Sequence, residues 1–419
     1  MHTQDTAETQ EAAATRPKPL RRNRDYLLLW SGQAISSAGS SASELALPLL
    51  ILSITHSPAQ AGLAGALRSL AYLLLGLPAG ALIDRWDRKR MMIFCDAGRA
   101  LTLGSIPLAL ALNHLTMAQL YLVSLIEGTL YVFFSLAESA ALPRVVAREQ
   151  LPAATAQNEA TSGVVTLVGP SLGGALFGVA KALPFLADAI SYAASVCSLF
   201  WIRLPFQEER QPQTSPSLRA DIWEGLVWLW RQPVVRAIGL LHSGLILSGS
   251  GMTLLMLVIA ERQQASPFAI GLMFGVSGLG SILGTLLGSQ AHKRLRLGQI
   301  MVAAFWLFAL LWPLYAIAPS PLALGTILAA FWVVDETYDV AQLSYRLALI
   351  PDALRGRVNG ALRLAFFSCE TLGLALTGLL LQQIGVLPTL LCFEGAWVLL
   401  AVATTLNRSL RTASPLSGL

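Results

Sequence analysis

The sequence predicts an all-α membrane protein with twelve transmembrane helices in two six-helix repeats. Three observations carry that expectation. First, 54% of the 419 residues are hydrophobic and only 13% are charged, whereas a soluble chain usually has roughly a quarter of its residues charged. A water-soluble core of this size cannot hide so much apolar sequence. Second, the apolar residues fall into runs of about 20, the length needed to cross a bilayer. Third, the basic residues sit in the gaps between runs and favour alternate gaps.

In order, the runs cover about 27–52, 59–83, 91–112, 117–141, 157–180, 183–203, 234–259, 267–290, 299–318, 321–344, 358–382 and 386–407. The fifth and tenth carry more polar residues than the rest. The first run is too long and too late for a cleaved leader. With the N-terminus inside, all but four of the 29 basic residues fall in cytoplasmic segments. The exceptions are Lys181 and Arg262 in outer loops, and Arg68 and Arg99 inside runs. This bias sets membrane orientation, so both termini are expected in the cytoplasm of a multi-pass plasma-membrane protein. Topology also accounts for the net charge of +5 without a nucleic-acid partner.

The boundaries follow from these runs. A polar, disordered tail covers 1–21, a first six-helix bundle 22–203, a linker 204–233, a second bundle 234–407 and a short tail 408–419. In the linker, Trp223, Leu226, Val227 and Trp230 recur on one helical face, the pattern of a helix lying along the inner leaflet. The bundles repeat each other: Ser57-Pro58-x-x-x-Gly62-Leu63 opens run two and Ser266-Pro267-x-x-x-Gly271-Leu272 opens run eight, with Pro suited to a first helical turn. Asn158 and Asn359 stand in similar places before runs five and eleven.

Runs two and three meet in Gly76–Arg90, where small residues give way to six charges within seven positions. The pattern Gly80-x-Leu82-x-Asp84-Arg85-x-x-Arg88-Lys89-Arg90 resembles the loop 2–3 signature of the major facilitator superfamily, with Asp87 where that family has its second glycine. Gly169-Pro170-Ser171-Leu172-Gly173-Gly174 resembles the tail of the motif found in the superfamily's exporters and antiporters, with Val165 in place of an upstream glycine. A proline inside a helix removes a hydrogen bond and bends it, and glycines admit a close neighbour, so this motif is expected to shape how a cavity closes. Asp25-Tyr26-x-x-Leu29-Trp30-x-x-Gln33 and Pro351-Asp352-x-x-Arg355-Gly356-Arg357-Val358 are similar to the branch of enterobactin exporters and macrolide efflux proteins.

Ionisable residues inside a membrane run are costly and are paired, wet or working. Asp96, Arg99, Glu138 and Asp339 lie near the cytoplasmic ends, as candidate partners for the loop 2–3 arginines. Asp188 and Glu394 lie near the outer ends. Glu44, Arg68 and Glu127 sit at mid-depth in runs one, two and four; Asp335, Glu336 and Glu370 are the matching group in runs ten and eleven. The resemblance implies that runs one, four, seven and ten line a cavity, which puts Glu44, Glu127 and Asp335 on lining helices. A carboxylate in a partly dry cavity can exchange a proton near neutral pH, and Arg68 can hold one acid ionised until a conformational change separates them. A permanent buried ion pair is the alternative for any one of these residues. Tyr131, Phe134, Phe331, Trp332 and Tyr338 lie near the acids, as cavity lining or as plain packing.

The four lysines lack a phosphate-cradling G-x-x-x-x-G-K-[ST] context, and the five histidines form no H-E-x-x-H. The four cysteines are widely spaced inside apolar runs. The expectation is therefore not an enzyme and not an ATP-driven pump, with neither cofactor nor metal. The resemblance implies a monomeric secondary carrier in membrane lipid. It would exchange protons for a small lipophilic molecule, a drug, macrolide or siderophore-like compound, by alternating access. An importer or uniporter on the same scaffold, and a non-transporting membrane sensor or assembly partner, are the alternatives.

Overall fold

The computed structural model describes residues 19–83, 85–204, 206 and 218–411. Asp84 of the basic turn lies outside the described residues, as do most of the two tails and part of the linker. Six long helices come first: α1 (Arg24–Thr55), α2 (Pro58–Ile83), α3 (Arg88–Ala111), α4 (Met117–Val145), α5 (Leu151–Val179) and α6 (Leu183–Trp201). The helix α7 (Leu218–Arg231) follows in the linker segment. The second half holds α8 (Pro233–Gly249), α9 (Met252–Arg262), α10 (Pro267–Arg294), α11 (Leu297–Leu311), α12 (Leu314–Ile317), α13 (Pro321–Leu349), α14 (Arg355–Gln383), α15 (Val386–Leu406) and α16 (Arg408–Arg411).

Polar side chains set many of the helix starts. Asn23, Asp87, Thr116, Ser266 and Ser320 each accept a hydrogen bond from a backbone N–H three residues on, which satisfies a donor that the helix itself leaves open. Counting α8 with α9 and α11 with α12, ten helices among the described residues are long and apolar enough to cross a membrane. The protein is a multi-pass membrane protein. The helices α2 and α13 also have spanning length, 26 and 29 residues, and Asp335, Glu336 and Asp339 dilute the apolar character of α13.

Two features differ from the sequence expectation. At the end of the bundle where α1 begins, here the basic end, several helices run past their apolar stretches: α4 reaches Val145, α5 starts at Leu151 and α13 reaches Leu349. Apolar length tracks the hydrocarbon, whereas the helix itself stops only at a cap or a breaker. Runs seven and nine are also interrupted, at Ser250-Gly251 and at Trp312-Pro313, the first at a glycine and the second at a proline.

Within the first half, α1 packs on α5 and α6, α3 on α4 and α6, and α2 on α4. In the second, α10 packs on α13, and α11 on α13 and α15. Gly280, Gly284 and Gly288 recur every four residues on α10, and a Cβ on any of them would run into α13 at Ala329, Val333 or Thr337. This is the small-residue packing that lets membrane helices approach closely. Phe305, Phe308, Trp312, Phe331 and Trp397 interlock in the core of this half, with Phe308–Phe331 ring centroids 4.6 Å apart and Phe308–Trp397 5.1 Å.

The halves meet along two seams, α2 with α14 and α5 with α10. At the end opposite the basic end, here the far end, both seams are tight. A Cβ on Gly62 would meet Gly378, and one on Gly174 would meet Gly271. Toward the basic end they part: nothing lies within 4 Å of a Cβ built on Gly80 or Gly163.

Candidate functional site: a polar cavity between the halves

Because the far end is sealed and the basic end is not, a cavity of about 870 Å³ remains between the halves. Its wall comes from α1, α5, the α8–α9 break, α10 and α13. Hydroxyls are frequent there (Ser41, Ser162, Thr166, Ser250, Ser277, Ser281), set among Leu45, Phe274, Leu328 and Trp332. Three carboxylates line it: Glu44 from α1, Glu159 from α5 and Glu336 from α13. Apolar walls with a few convergent polar groups are the usual make-up of a small-molecule site.

Behind Glu44 runs a chain of alternating charge. Glu44 pairs with Arg68 Nη1. Arg68 Nε donates to Glu127 Oε2 at 2.6 Å, and Arg99 Nη2 donates to Glu127 Oε1, also at 2.6 Å. Arg99 in turn lies 4.0 Å from Asp96, whose other oxygen accepts from Ser195 Oγ at 2.6 Å. Exposure falls steadily along the chain, with side-chain values of 59% at Glu44, 27% at Arg68, 10% at Glu127 and 4% at Arg99. The chain leads from the cavity into the dry interior of the first half. Each arginine sits between two acids, so neither is left as an uncompensated charge in a medium where that is expensive.

Aromatic rings frame these cations. Arg99 lies 4.2 Å from the Tyr192 ring centroid and 5.3 Å from that of Tyr131; Arg68 lies 5.9 Å from Tyr131. Tyr192 shares a 2.6 Å hydrogen bond with Ser40, and Asp188 accepts from Ser43 and Ser191. Gly128 brings α2 and α4 together, since a Cβ there would overlap the backbone of Arg68.

This geometry corrects several expectations. Glu44 and Glu336 reach the cavity wall; Glu127 and Asp335 are not among its lining residues. Glu127 is spent on two arginines behind the wall. Asp335 precedes Glu336 by one residue, hence by roughly 100° around α13. Asp96 and Arg99 belong with Glu127 and Ser195, not with the basic turn, and Glu138 lies within electrostatic reach of that same pair. Asp339 accepts from Gln342 Nε2 at 2.7 Å. Glu370 on α14 lies within electrostatic reach of Arg68 and Glu44. Tyr338 is fully buried between Phe305 and His242, away from the cavity, and Phe331 belongs to the aromatic core. Trp332 does line the wall.

The basic turn grips its own half. Arg88 Nη1 donates to the Ala140 carbonyl in the last turns of α4 at 3.0 Å, and Lys89 Nζ to the Ile202 carbonyl at 2.6 Å, at the end of α6 where carbonyls are open and the helix dipole is negative. Asp87, which replaces the family's glycine, accepts from Arg90 N at 3.0 Å and caps α3. In the 169–174 motif, Gly169 faces Ser41, Gly173 faces Ala42, Gly174 faces α10, and Pro170 lines the cavity. Sequence reasoning missed Glu159, Tyr192 and Ser195. A signal for the last two was present: Asp188, Ser191, Tyr192 and Ser195 form a polar stripe at three-to-four spacing in an otherwise apolar run.

The family model for "Transmembrane secretion effector" matches residues 14–416. The enterobactin exporter EntS of Salmonella typhi is 29% identical over 341 residues, 80% of each chain. Among solved structures, a point mutant of the nucleoside transporter NupG superposes with a TM-score of 0.77 at 14% identity, covering 90% of this chain and 98% of that one. A bacterial homologue of the iron transporter ferroportin, in its inward-facing state, superposes with a TM-score of 0.74 at 18% identity, covering 93% and 99%. The same homologue in its outward-facing state gives 0.59 at 17% identity, covering 92% and 98%. The chain belongs to the transmembrane secretion effector family of the major facilitator superfamily and is a transporter of that type, in the neighbourhood of the enterobactin exporters.

Proposed function

We propose that this protein is a proton-coupled exporter of a small lipophilic molecule, working by alternating access with twelve membrane crossings, α8–α9 and α11–α12 each counting as one. The basic end faces the cytoplasm, so the described conformation is inward-facing. The observation that carries this reading is the charge chain that begins at the cavity wall on Glu44 and ends in the interior on Asp96. A proton taken up on one of its acids frees the neighbouring arginine to find another partner. That trade is a means of linking protonation to the rocking of one half against the other.

The far-end glycine seams supply the hinge contacts. Gly62 with Gly378 and Gly174 with Gly271 are pseudo-symmetric pairs that must separate when the cavity opens outward. Lys89 and Arg88 keep the first half rigid while that happens. The better superposition on the inward-facing than on the outward-facing ferroportin homologue supports the assignment of state.

The test is an efflux screen of dyes, antibiotics and siderophores in cells that overproduce the protein, with and without a protonophore, followed by uptake into inside-out and right-side-out vesicles. Protonophore-sensitive efflux, with uptake into inside-out vesicles only, is expected. Uptake favouring right-side-out vesicles would make the protein an importer. No movement of any solute by the purified protein in liposomes under a proton gradient would favour a non-transporting role.

A further inference from the structure

The charge on the cavity wall is one-sided. Glu44, Glu159 and Glu336 line it, and no Lys, Arg or His stands among its lining residues. The three acids are not equivalent. Glu44 is already paired with Arg68, and Glu159 lies in the exposed, basic-end part of α5. Glu336 sits on α13, and no hydrogen bond or ion pair reaches it among the described residues. Its electrostatic neighbour is another acid, Asp339.

The surroundings of Glu336 are firmly built. Gly284 of α10 packs directly on its Cβ, so the side chain springs from a tight helix–helix contact. Trp332 lies one turn earlier on the same face of α13 and also lines the cavity, with Phe274 contributed from α10. The α8–α9 break adds Ser250 to the same cavity, with its hydroxyl buried against Gly373 of α14. A carboxylate beside an indole, on a cavity wall whose lining residues include no base, suits a cation. A mobile cation would satisfy the carboxylate and stack on the ring.

We propose that the cavity takes amphipathic organic cations, with the charged group held between Glu336 and the face of Trp332 and the apolar body against Phe274 and Leu328. This deepens the transport reading and rests on it for its biological meaning. It also separates this chain from carriers of acidic siderophores, because an anionic ligand would place its charge against Glu336 with no lining base to offset it.

The experiment compares two ions of nearly equal size and opposite charge, tetraphenylphosphonium and tetraphenylborate, binding to the purified full chain in detergent and followed by calorimetry. The cation should bind at least about tenfold more tightly than the anion, the scale of one desolvated charge contact. Glu336→Gln should remove most of that preference, Glu336→Asp should restore part of it, and Trp332→Leu should weaken the cation alone. Equal or tighter binding of tetraphenylborate to the unaltered protein would overturn the proposal and needs no variant that folds. An unchanged preference in a folded Glu336→Gln protein would overturn the role of Glu336. Binding in detergent requires no proton gradient, so a failure of coupled transport in liposomes would sink the transport reading while leaving this result legible.

Discussion

The two halves differ in chemistry. In the first, α1, α2, α3 and α4 bring their charged residues into one continuous chain, Glu44–Arg68–Glu127–Arg99–Asp96, in which every cation is flanked by acids. In the second, Phe305, Phe308, Trp312, Phe331 and Trp397 fill the core, while Asp335, Glu336 and Asp339 form no ion pair among the described residues. One half therefore pairs its buried charges with one another; the other has an aromatic core and acids without ion pairs among the described residues. On the proposed reading, coupling chemistry lies on one side of the cavity and recognition chemistry on the other.

The largest effect is expected where this contrast is sharpest. Glu127→Gln leaves Arg68 and Arg99 sharing a neutral amide in a buried site. Proton-driven transport should fall to background in liposomes. The folded state should lose about 3–5 kcal/mol, the cost of breaking a buried pair by removing one partner, read by thermal denaturation in detergent. Retained gradient-driven transport in this variant would end the distinction between the halves.

Trp397→Ala should cost a similar about 3–5 kcal/mol through the cavity it leaves among Phe308, Trp312 and Phe331, yet transport per folded molecule should survive at low temperature. Loss of coupling with no loss of stability would show that the aromatic core is more than a wall.

A third test compares the two ends instead of the two halves. Gly174→Val drives a side chain into α10 at the far-end seam and should raise labelling, from the far side, of a cysteine placed at Thr253 in a cysteine-free background. Gly163→Val, with open space around it, should not. Equal labelling in both would mean that the seam is not the seal. The smallest effect belongs to Glu224→Gln. It removes the 2.6 Å pair that ties α7 to Arg357, but both side chains are partly exposed, so the change in stability should stay within about 1 kcal/mol.

Much of this was legible from the chain alone. Apolar run length and the one-sided basic loops located the helices, because hydrocarbon thickness and membrane orientation act on composition directly. The repeated Ser-Pro-x-x-x-Gly at 57–62 and 266–271 reads as a mark of repetition, and a Cβ on either glycine would overlap the helix opposite. Its partner Gly378 was not legible, because a glycine among many small residues carries no mark until the opposing helix is known. That Arg68 and Glu127 lie inside long helices was readable, and their neighbourhood was not, since pairing depends on rotation about α2 and α4. Which of Asp335 and Glu336 meets the cavity was not readable for that same reason. Adjacent residues on a helix face different ways, and nothing in the run of α13 says which way the cavity lies. Asp87 looked like a defect in a family signature and is a helix cap.

In the proposed mechanism, the Glu44–Asp96 chain ties the cavity to the proton gradient. The direct measurement is accumulation of tetraphenylphosphonium in liposomes carrying the purified protein, under an imposed pH gradient with the membrane potential clamped at zero, for the unaltered protein and for Glu127→Gln side by side. The account predicts accumulation that collapses with a protonophore in the former and is absent in the latter. Gradient-driven accumulation of equal size in both would contradict it.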